Sequence, residues 1–183
     1  ANVGNAPISG TSDVGSNRTV TLVITDASGK SVTVTAVTDA NGDYNTTADL
    51  SGLADGNLEV VASVTDAAGN PASATDDTTL LDTSASATIT VDSITADDIL
   101  NAQEAAGNVT VTGRVGGDAA IGDTVTMEIN GTLYTTRVIA LVGGGLGFSL
   151  PVAGRDLALD TTFTATVTGS DDAGNPFTAS TTS

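Results

Sequence analysis

Ser63-Val-Thr-Asp-Ala-Ala-Gly-Asn-Pro71 and Thr168-Gly-Ser-Asp-Asp-Ala-Gly-Asn-Pro176 are two copies of one motif, about 105 residues apart in a chain of 183 residues. The stretches before them match as well, because the apolar positions of Val20-Thr-Leu-Val-Ile24 align with those of Val125-Thr-Met-Glu-Ile129. A repeat that keeps both its spacing and its phase indicates that one fold is written twice along the chain.

Apolar and polar residues alternate along most of the chain, which is the pattern of half-buried β-strands. Asn130-Gly131 between two such stretches is a strong signal for a hairpin. In the second copy this pattern predicts seven strands, at about 86–92, 108–115, 123–130, 132–140, 146–152, 161–169 and 176–182. In the first copy it predicts six, near 6–10, 19–25, 31–37, 43–49, 57–66 and 72–80.

Seven short strands in about 100 residues are typical of an immunoglobulin-like sandwich. We therefore predict an all-β protein of two tandem immunoglobulin-like β-sandwich domains arranged end to end. Residues 1–81 form a repeat that lacks its first strand, since nothing in them corresponds to 86–106, and residues 82–183 form a complete seven-stranded repeat.

The composition restricts the function. The net charge is −17, and it is spread over both copies, with ten acidic and two basic residues up to residue 81 and twelve acidic and three basic residues after it. Such a surface repels nucleic acid and anionic lipid and attracts divalent cations. The chain has no His and no Cys, so the common general base, thiol nucleophile and zinc ligands are absent, and we predict no enzyme. Oxygen ligands alone favour Ca²⁺ or Mg²⁺.

Acidic side chains are concentrated in the predicted loops at the strand ends. They are Asp66 and Asn70 in the Asp-Ala-Ala-Gly-Asn loop, Asp82 at the start of the second copy, and Asp92, Asp97, Asp98, Asn101 and Glu104 after its first strand. If the sandwiches stack end to end, these groups converge on the junction, where carboxylates would repel one another unless a cation lay among them. The alternative is that Asp and Asn are ordinary turn residues that accept hydrogen bonds from their own backbone.

The run Thr88-Ile-Thr-Val-Asp-Ser-Ile-Thr-Ala-Asp-Asp-Ile-Leu-Asn-Ala-Gln-Glu-Ala105 resembles the opening of the tandem immunoglobulin-like extender repeats of giant bacterial adhesins. These include the RTX adhesins and biofilm-associated proteins secreted by the type I route, and the closing Asp-x-Ala-Gly-Asn-Pro motif fits the same family. The resemblance implies repeats stiffened by Ca²⁺ that project a ligand-binding region away from the cell. Carried over by position, it implies as metal ligands Asp66, Asn70, Asp82, Asp97, Asp98 and Glu104.

The expected function is therefore that of a Ca²⁺-stiffened extender segment of a secreted adhesin on a bacterial cell surface. Its partners would be calcium ions and neighbouring repeats of the same polypeptide, with no nucleic acid and no membrane insertion, and the chain would be monomeric. One alternative is a repeat that itself binds glycan or protein, which calls for an exposed aromatic platform. Another is an accessory domain of a secreted hydrolase.

Overall fold

The computed structural model describes residues 2–183 and divides into two compact units, one ending at Thr83 and one running from Ser84 to Ser183. This division lies two residues after the predicted boundary. The fold class is confirmed, because both units are built almost entirely from antiparallel strands. In the described part of the chain, no helix is long and apolar enough to cross a membrane.

Unit 1, the residues up to Thr83, contains a short 3₁₀ turn at Val3–Asn5 and six strands. These are β1 (Ala6–Thr11), β2 (Thr19–Thr25), β3 (Ser31–Val37), β4 (Asp43–Ala48), β5 (Gly56–Thr65) and β6 (Pro71–Leu81). One sheet has the order β3-β2-β5-β6, and the second contains only β1 and β4. The alternation read from the sequence is realised in β2, where Val20, Leu22 and Ile24 are buried and the residues between them are not.

Unit 2, Ser84–Ser183, contains eight strands and two short helices. In chain order they are β7 (Ala87–Val91), α1 (Ala102–Ala105), β8 (Asn108–Gly117), β9 (Thr124–Ile129), β10 (Thr132–Arg137), β11 (Ile139–Ala140), β12 (Leu146–Ala153), α2 (Gly154–Leu159), β13 (Thr164–Ser170) and β14 (Pro176–Thr182). Its two four-stranded sheets have the orders β10-β9-β13-β14 and β11-β12-β8-β7.

The predicted strands agree with the observed ones to within three residues at each end, apart from the predicted strand 132–140. That strand is interrupted at Val138, whose side chain is buried and whose backbone N–H donates to the carbonyl of Asp123 at 2.9 Å. The Asn130-Gly131 hairpin is present, with positive φ at both residues. The sequence pattern did not predict the helices α1 and α2, because one or two turns are too short to show a helical period.

The two copies do not share one cross-strand register. Leu22 lies opposite Ala62, whereas Val125 lies opposite Val167, the residue that the repeated motif aligns with Ala62. By strand pairing, the structural counterpart of Val125 is therefore Leu22. The sequence alignment had matched Val125 with Val20, two residues earlier. A shift of two keeps every side chain on the same face of the sheet, so the burial pattern alone could not reveal it.

The cores differ in composition. The buried cluster of unit 2 contains Phe148, Phe163, Phe177 and Met127 together with smaller aliphatic residues. That of unit 1 is built from Ile, Leu and Ala residues such as Ile24, Leu50, Leu53 and Leu58.

Candidate functional site: the acidic turns

One acidic turn recurs four times in the part of the chain that the structure describes, with the pattern Asp-x-x-Gly-x. In each, the fifth residue donates its backbone N–H to the Asp side chain, at 2.8–3.0 Å, and the Gly donates its N–H to the Asp carbonyl. The Gly has φ between +86° and +92°, a conformation that costs other residues energy. The four turns are Asp26–Lys30, Asp39–Asp43, Asp66–Asn70 and Asp171–Asn175.

Asp66 and Asn70, two of the predicted metal ligands, lie together in the third of these turns. Asp66 Oδ1 accepts from the backbone N–H groups of Ala68 and Asn70, each at 2.8 Å, and the Asn70 side-chain amide donates to Asp66 Oδ2 at 2.8 Å. The bond from the Asn70 amide, followed by those from backbone N–H groups, holds the pKa of Asp66 below its usual value. These bonds are those expected for a turn residue, and a carboxylate so arranged stays ionised and retains lone pairs for a cation.

Asp171 and Asn175 repeat this arrangement in unit 2. The Asn175 side-chain amide donates to Asp171 Oδ2 at 2.8 Å, and this bond is the first cause of the lowered pKa of Asp171. The same bonds therefore form at both copies of the Asp-x-Ala-Gly-Asn-Pro motif.

Asp82 is exposed and follows the buried Leu81 at the end of β6. Asp97 and Asp98 occupy a turn between β7 and α1. Asp97 Oδ1 accepts from the Thr95 hydroxyl and from the backbone N–H of Ile99, both at 3.2 Å. Asp98 has φ of +58°, and its Oδ1 accepts from the Ile94 N–H at 3.4 Å.

Glu104 lies further along the chain, in the first turn of α1. Its Oε2 accepts from the backbone N–H of Asn101 at 2.9 Å, while Asn101 Oδ1 accepts from the N–H groups of Gln103 and Glu104. This is a capping box, in which the two side chains satisfy backbone donors that the short helix leaves free. The sequence Asn101-Ala-Gln-Glu104 contains its signal.

The six predicted ligands are divided between the units. Asp66, Asn70 and Asp82 belong to unit 1, and Asp97, Asp98 and Glu104 belong to unit 2. Their donor atoms are carboxylate and amide oxygens on exposed or half-exposed side chains, which is the ligand chemistry of Ca²⁺. Within each unit, as far as the structure describes it, no three acidic side chains stand close enough together to hold a metal ion by themselves.

Asp92 is a polar residue of this region that the six-residue set omits. It lies in a shallow groove of unit 2 with Thr95, Asp98, Leu100 and Leu157. Its Oδ2 accepts from the Thr112 hydroxyl at 2.9 Å. The sequence predicts that Asp92 follows the first strand of the second copy. Its contact with Thr112 could not be predicted, because that contact depends on the pairing of β7 with β8.

The five aromatic side chains are all buried or half-buried. Phe148, Phe163 and Phe177 are buried in unit 2. Tyr134 is half-buried, with its hydroxyl donating to Asp156 Oδ2 at 2.5 Å, and Tyr44 is half-buried in unit 1. This placement gives no support to an exposed aromatic platform for glycan binding.

Solved structures of bacterial adhesins are similar to this chain. A 1.5-MDa bacterial ice-binding adhesin, studied for its host cell surface retention, is 41% identical over all of this chain, with a TM-score of 0.76. A Ca²⁺-stabilised adhesin that helps an Antarctic bacterium reach out and bind ice is 44% identical over 99% of this chain, with a TM-score of 0.63. A bacterial immunoglobulin-like domain from the ice-binding adhesin of M. primoryensis is 52% identical over 55% of this chain, with a TM-score of 0.50.

The coverage of these structures differs. The chain spans 57% of the first, 44% of the second and 95% of the third. No family model and no curated protein matches the chain.

Proposed function

Because this chain belongs to the tandem immunoglobulin-like repeats of large bacterial adhesins, we propose that it is an extender segment whose work is mechanical. It adds length and stiffness to a secreted protein on a bacterial surface, so that a ligand-binding region elsewhere in the adhesin is carried away from the cell for adhesion and biofilm formation. The observation that carries this proposal is the 41% identity to a giant adhesin over the entire chain. The double repetition supports it, since repeated modules are a direct way to build length.

The fold suits this work. All strand pairs in both units are antiparallel, so a pulling force meets ladders of backbone hydrogen bonds. The chain has no Cys, so its rigidity has to come from packing, hydrogen bonds and bound ions. No catalytic role is needed for this function, and we propose none. Its partners are neighbouring repeats of the same polypeptide, and the chain acts as a monomer.

We propose Ca²⁺ as the stiffening ion, with Asp66, Asn70, Asp82, Asp97, Asp98 and Glu104 as ligands. They would serve more than one ion, because Asp66 precedes β6 and Asp82 follows it, at the opposite end of that strand. The donor chemistry supports this, and so does the similarity to an adhesin described as Ca²⁺-stabilised. Bound ions would neutralise part of the −17 charge and hold loops to strand ends. The remaining oxygens of a shell of six to eight would come from carbonyls, hydroxyls and water.

Calcium-dependent melting tests this function. A site with a Kd of about 10⁻⁴ M in about 1 mM Ca²⁺ stabilises the folded state by about 1.4 kcal/mol. For a domain of this size that raises Tm by about 5–10 °C relative to a chelator. In single-molecule pulling, the unfolding force should rise with Ca²⁺ as well. Equal Tm and equal unfolding force in Ca²⁺ and in chelator would contradict the proposal.

Matched variants test the ligands. Asp97→Asn combined with Asp98→Asn should weaken calcium binding in calorimetry by at least tenfold, and Asp66→Asn should do the same for its own site. Asp77→Asn, on the exposed β6, removes one charge at a position outside the set and serves as the control. If Asp77→Asn weakens binding as much as Asp66→Asn does, the effect is that of net charge, and the assignment of ligands is wrong.

A further inference from the structure

A short connection joins the last strand of unit 1 to the first strand of unit 2. Strand β6 ends at Leu81 and β7 begins at Ala87, so the connection consists of residues 82–86. It contains no Gly and no Pro. Without restraint, a segment of this length extends to about 17 Å and samples many conformations, which is enough for a hinge. Its stiffness therefore depends on how it is held to each unit.

Asp55 holds the start of the connection to unit 1. It precedes Gly56, the first residue of β5, and Gly56 lies opposite Leu81 at the end of β6. Asp55 Oδ1 accepts from the backbone N–H of Thr83 at 3.0 Å and from the Thr83 hydroxyl at 2.7 Å. The carboxylate thus continues the contact between β5 and β6 beyond their last paired residues. Because Thr is β-branched and stiff at χ1, the two bonds restrain both its backbone and its side chain.

Asp118 holds the end of the connection to unit 2. Its Oδ2 accepts from the backbone N–H of Ser86 at 2.7 Å, and its own N–H donates to the Ser86 carbonyl at 2.7 Å. Both polar groups of the Ser86 backbone are therefore bonded to one residue. Gly117 permits this close contact, because it has φ of +72° and a Cβ there would overlap the Ser86 carbonyl.

Ala85 is also held to unit 2. It is half-buried and packs against the buried cluster of that unit. Residues 85–87 are thus restrained by packing, by Asp118 and by the pairing of β7 with β8, whereas the chain up to Thr83 is restrained by unit 1. Ser84 is the one residue between the two restrained segments. A hinge needs a few residues whose φ and ψ can change, and this connection leaves at most one.

We propose that Asp55 and Asp118 are positioning residues that restrain the connection from both sides and confine any hinge to Ser84. The inference rests on the proposed extender function, in which stiffness is the work of the chain. It adds a source of stiffness that needs no ion, because the donors and acceptors of these bonds all belong to the chain itself. Neither carboxylate belongs to the set of proposed calcium ligands.

Nitrogen-15 relaxation of the full chain in chelator tests the two restraints separately. In the wild type, the amide order parameters of Thr83 and Ser86 should equal those of rigid backbone, about 0.85. Asp55→Ala should lower the order parameter of Thr83 below about 0.6, and Asp118→Ala should do the same for Ser86. An unchanged order parameter at the restrained residue in either variant overturns the proposal.

Spin labels test the consequence for the whole chain, which has no Cys of its own. Thr33→Cys in unit 1 and Thr135→Cys in unit 2 place one label at an exposed position of each unit. Double electron–electron resonance then measures the spread of label-to-label distances in chelator. Asp55→Ala combined with Asp118→Ala should at least double the width of that distribution, and an unchanged width overturns the proposal.

Asp118→Asn is the matched control for Asp118→Ala, since it removes the same charge but keeps an oxygen that accepts from Ser86. It should preserve the order of Ser86. An equal loss of order with Asn and with Ala would assign the effect to charge and overturn the proposal.

Thr83→Val replaces Asp55→Ala if calorimetry shows that Asp55→Ala lowers the Tm of unit 1. It removes the hydroxyl bond to Asp55 alone, so it should lower the order parameter of residue 83 as well. An unchanged value overturns the proposal. Such a result leaves the extender function standing, because calcium-dependent melting tests that function independently.

Discussion

The carboxylate of Asp26 accepts hydrogen bonds from two separate backbone segments of unit 1. It is 5% exposed, and its Oδ1 accepts from the N–H groups of Ser28 and Lys30 and from the Ser28 hydroxyl. Its Oδ2 accepts from the Ala54 N–H at 2.8 Å, so it joins the β2–β3 turn to the segment before β5. The local part of this pattern involves only residues of the Asp26–Lys30 turn. The bond to Ala54 follows only from the fold.

These bonds make the stability of unit 1 depend on pH. The bond from Ala54, then that from the Ser28 hydroxyl, lowers the pKa of Asp26 from 3.8 to about 2. A carboxyl with a lowered folded pKa stabilises the fold above its unfolded pKa, and this contribution is lost as the pH falls from about 4 to about 2. Asp26→Asn should therefore lower Tm at pH 7, by about 5 °C, because the amide offers one acceptor oxygen in place of two.

The difference in Tm between wild type and Asp26→Asn should shrink across that acid range, as followed by circular dichroism. Asp77→Asn, which removes a charge from exposed β6, is the control and should melt as wild type does at each pH. A difference for Asp26→Asn that is the same at pH 7 and at pH 2 would contradict the assigned cause.

At the scale of strands, the sheet that contains β1 in unit 1 and the sheet that contains β8 in unit 2 each have a glycine opposite an aromatic ring. Gly10 lies opposite Tyr44 in the β1–β4 pair, and Gly113 lies opposite Phe148 in the β8–β12 pair. In both cases ring atoms occupy the space that a Cβ would take. Only at Gly113 does a backbone atom of a third strand also approach that space.

An alanine at each of these glycines should therefore have unequal effects. Gly113→Ala forces its Cβ against the Thr90 carbonyl and the Phe148 ring, and we expect a loss of about 2–3 kcal/mol in the free energy of unfolding of unit 2. Gly10→Ala meets the Tyr44 side chain alone, which can turn aside, so its cost should be about 1 kcal/mol or less. Urea unfolding of both variants measures the two costs. Equal losses would mean that the close approach of β7 to Gly113 adds nothing to the cost.

The edge strands β6 of unit 1 and β14 of unit 2 should differ in their dynamics. Because β6 is exposed on both faces from Pro71 to Leu80, its amides should exchange at least tenfold faster than those of β14 at equal pH. Hydrogen exchange followed by mass spectrometry on peptides 71–81 and 176–182 measures this. Equal protection of the two strands would mean that the lack of a buried face on β6 does not destabilise its backbone hydrogen bonds.

At the scale of the whole chain, two units of similar topology have unequal cores. Unit 2 packs three Phe residues and Met127 between two four-stranded sheets. Unit 1 closes a four-stranded sheet with only two strands, and its residues Ile8, Val60 and Ala62 remain partly exposed. Burial of apolar surface is the main favourable contribution to folding, so we expect unit 1 to be the less stable of the two.

Calorimetry in chelator should accordingly give two unfolding transitions, with unit 1 melting first. Phe148→Ala should move only the later transition, because Phe148 is 0% exposed in unit 2 and its removal costs about 3–5 kcal/mol. Leu22→Ala, at 1% exposure in unit 1, should move only the earlier one. If Phe148→Ala moves the earlier transition instead, unit 2 is the less stable unit and the expected order is wrong.

The sequence by itself determined the fold class, the repeat and nearly every strand, because period-two alternation and turn residues such as Asn130-Gly131 act locally. It favoured the four acidic turns but did not determine them, since Asp49-Leu-Ser-Gly-Leu53 has the same Asp-x-x-Gly-x pattern and its Leu53 N–H donates to the Leu50 carbonyl instead. The tertiary structure decided the register of β2, which a two-residue shift leaves invisible to alternation, and the break at Val138. It also decided which faces are buried: Val111, Ala165 and Val167 are 0% exposed in unit 2, where β7 packs against β13 and β14, whereas Ile8, Val60 and Ala62 are partly exposed in unit 1. It also separated two of the predicted ligands, since Asp66 precedes β6 and Asp82 follows it, and the extended strand between them holds them far apart.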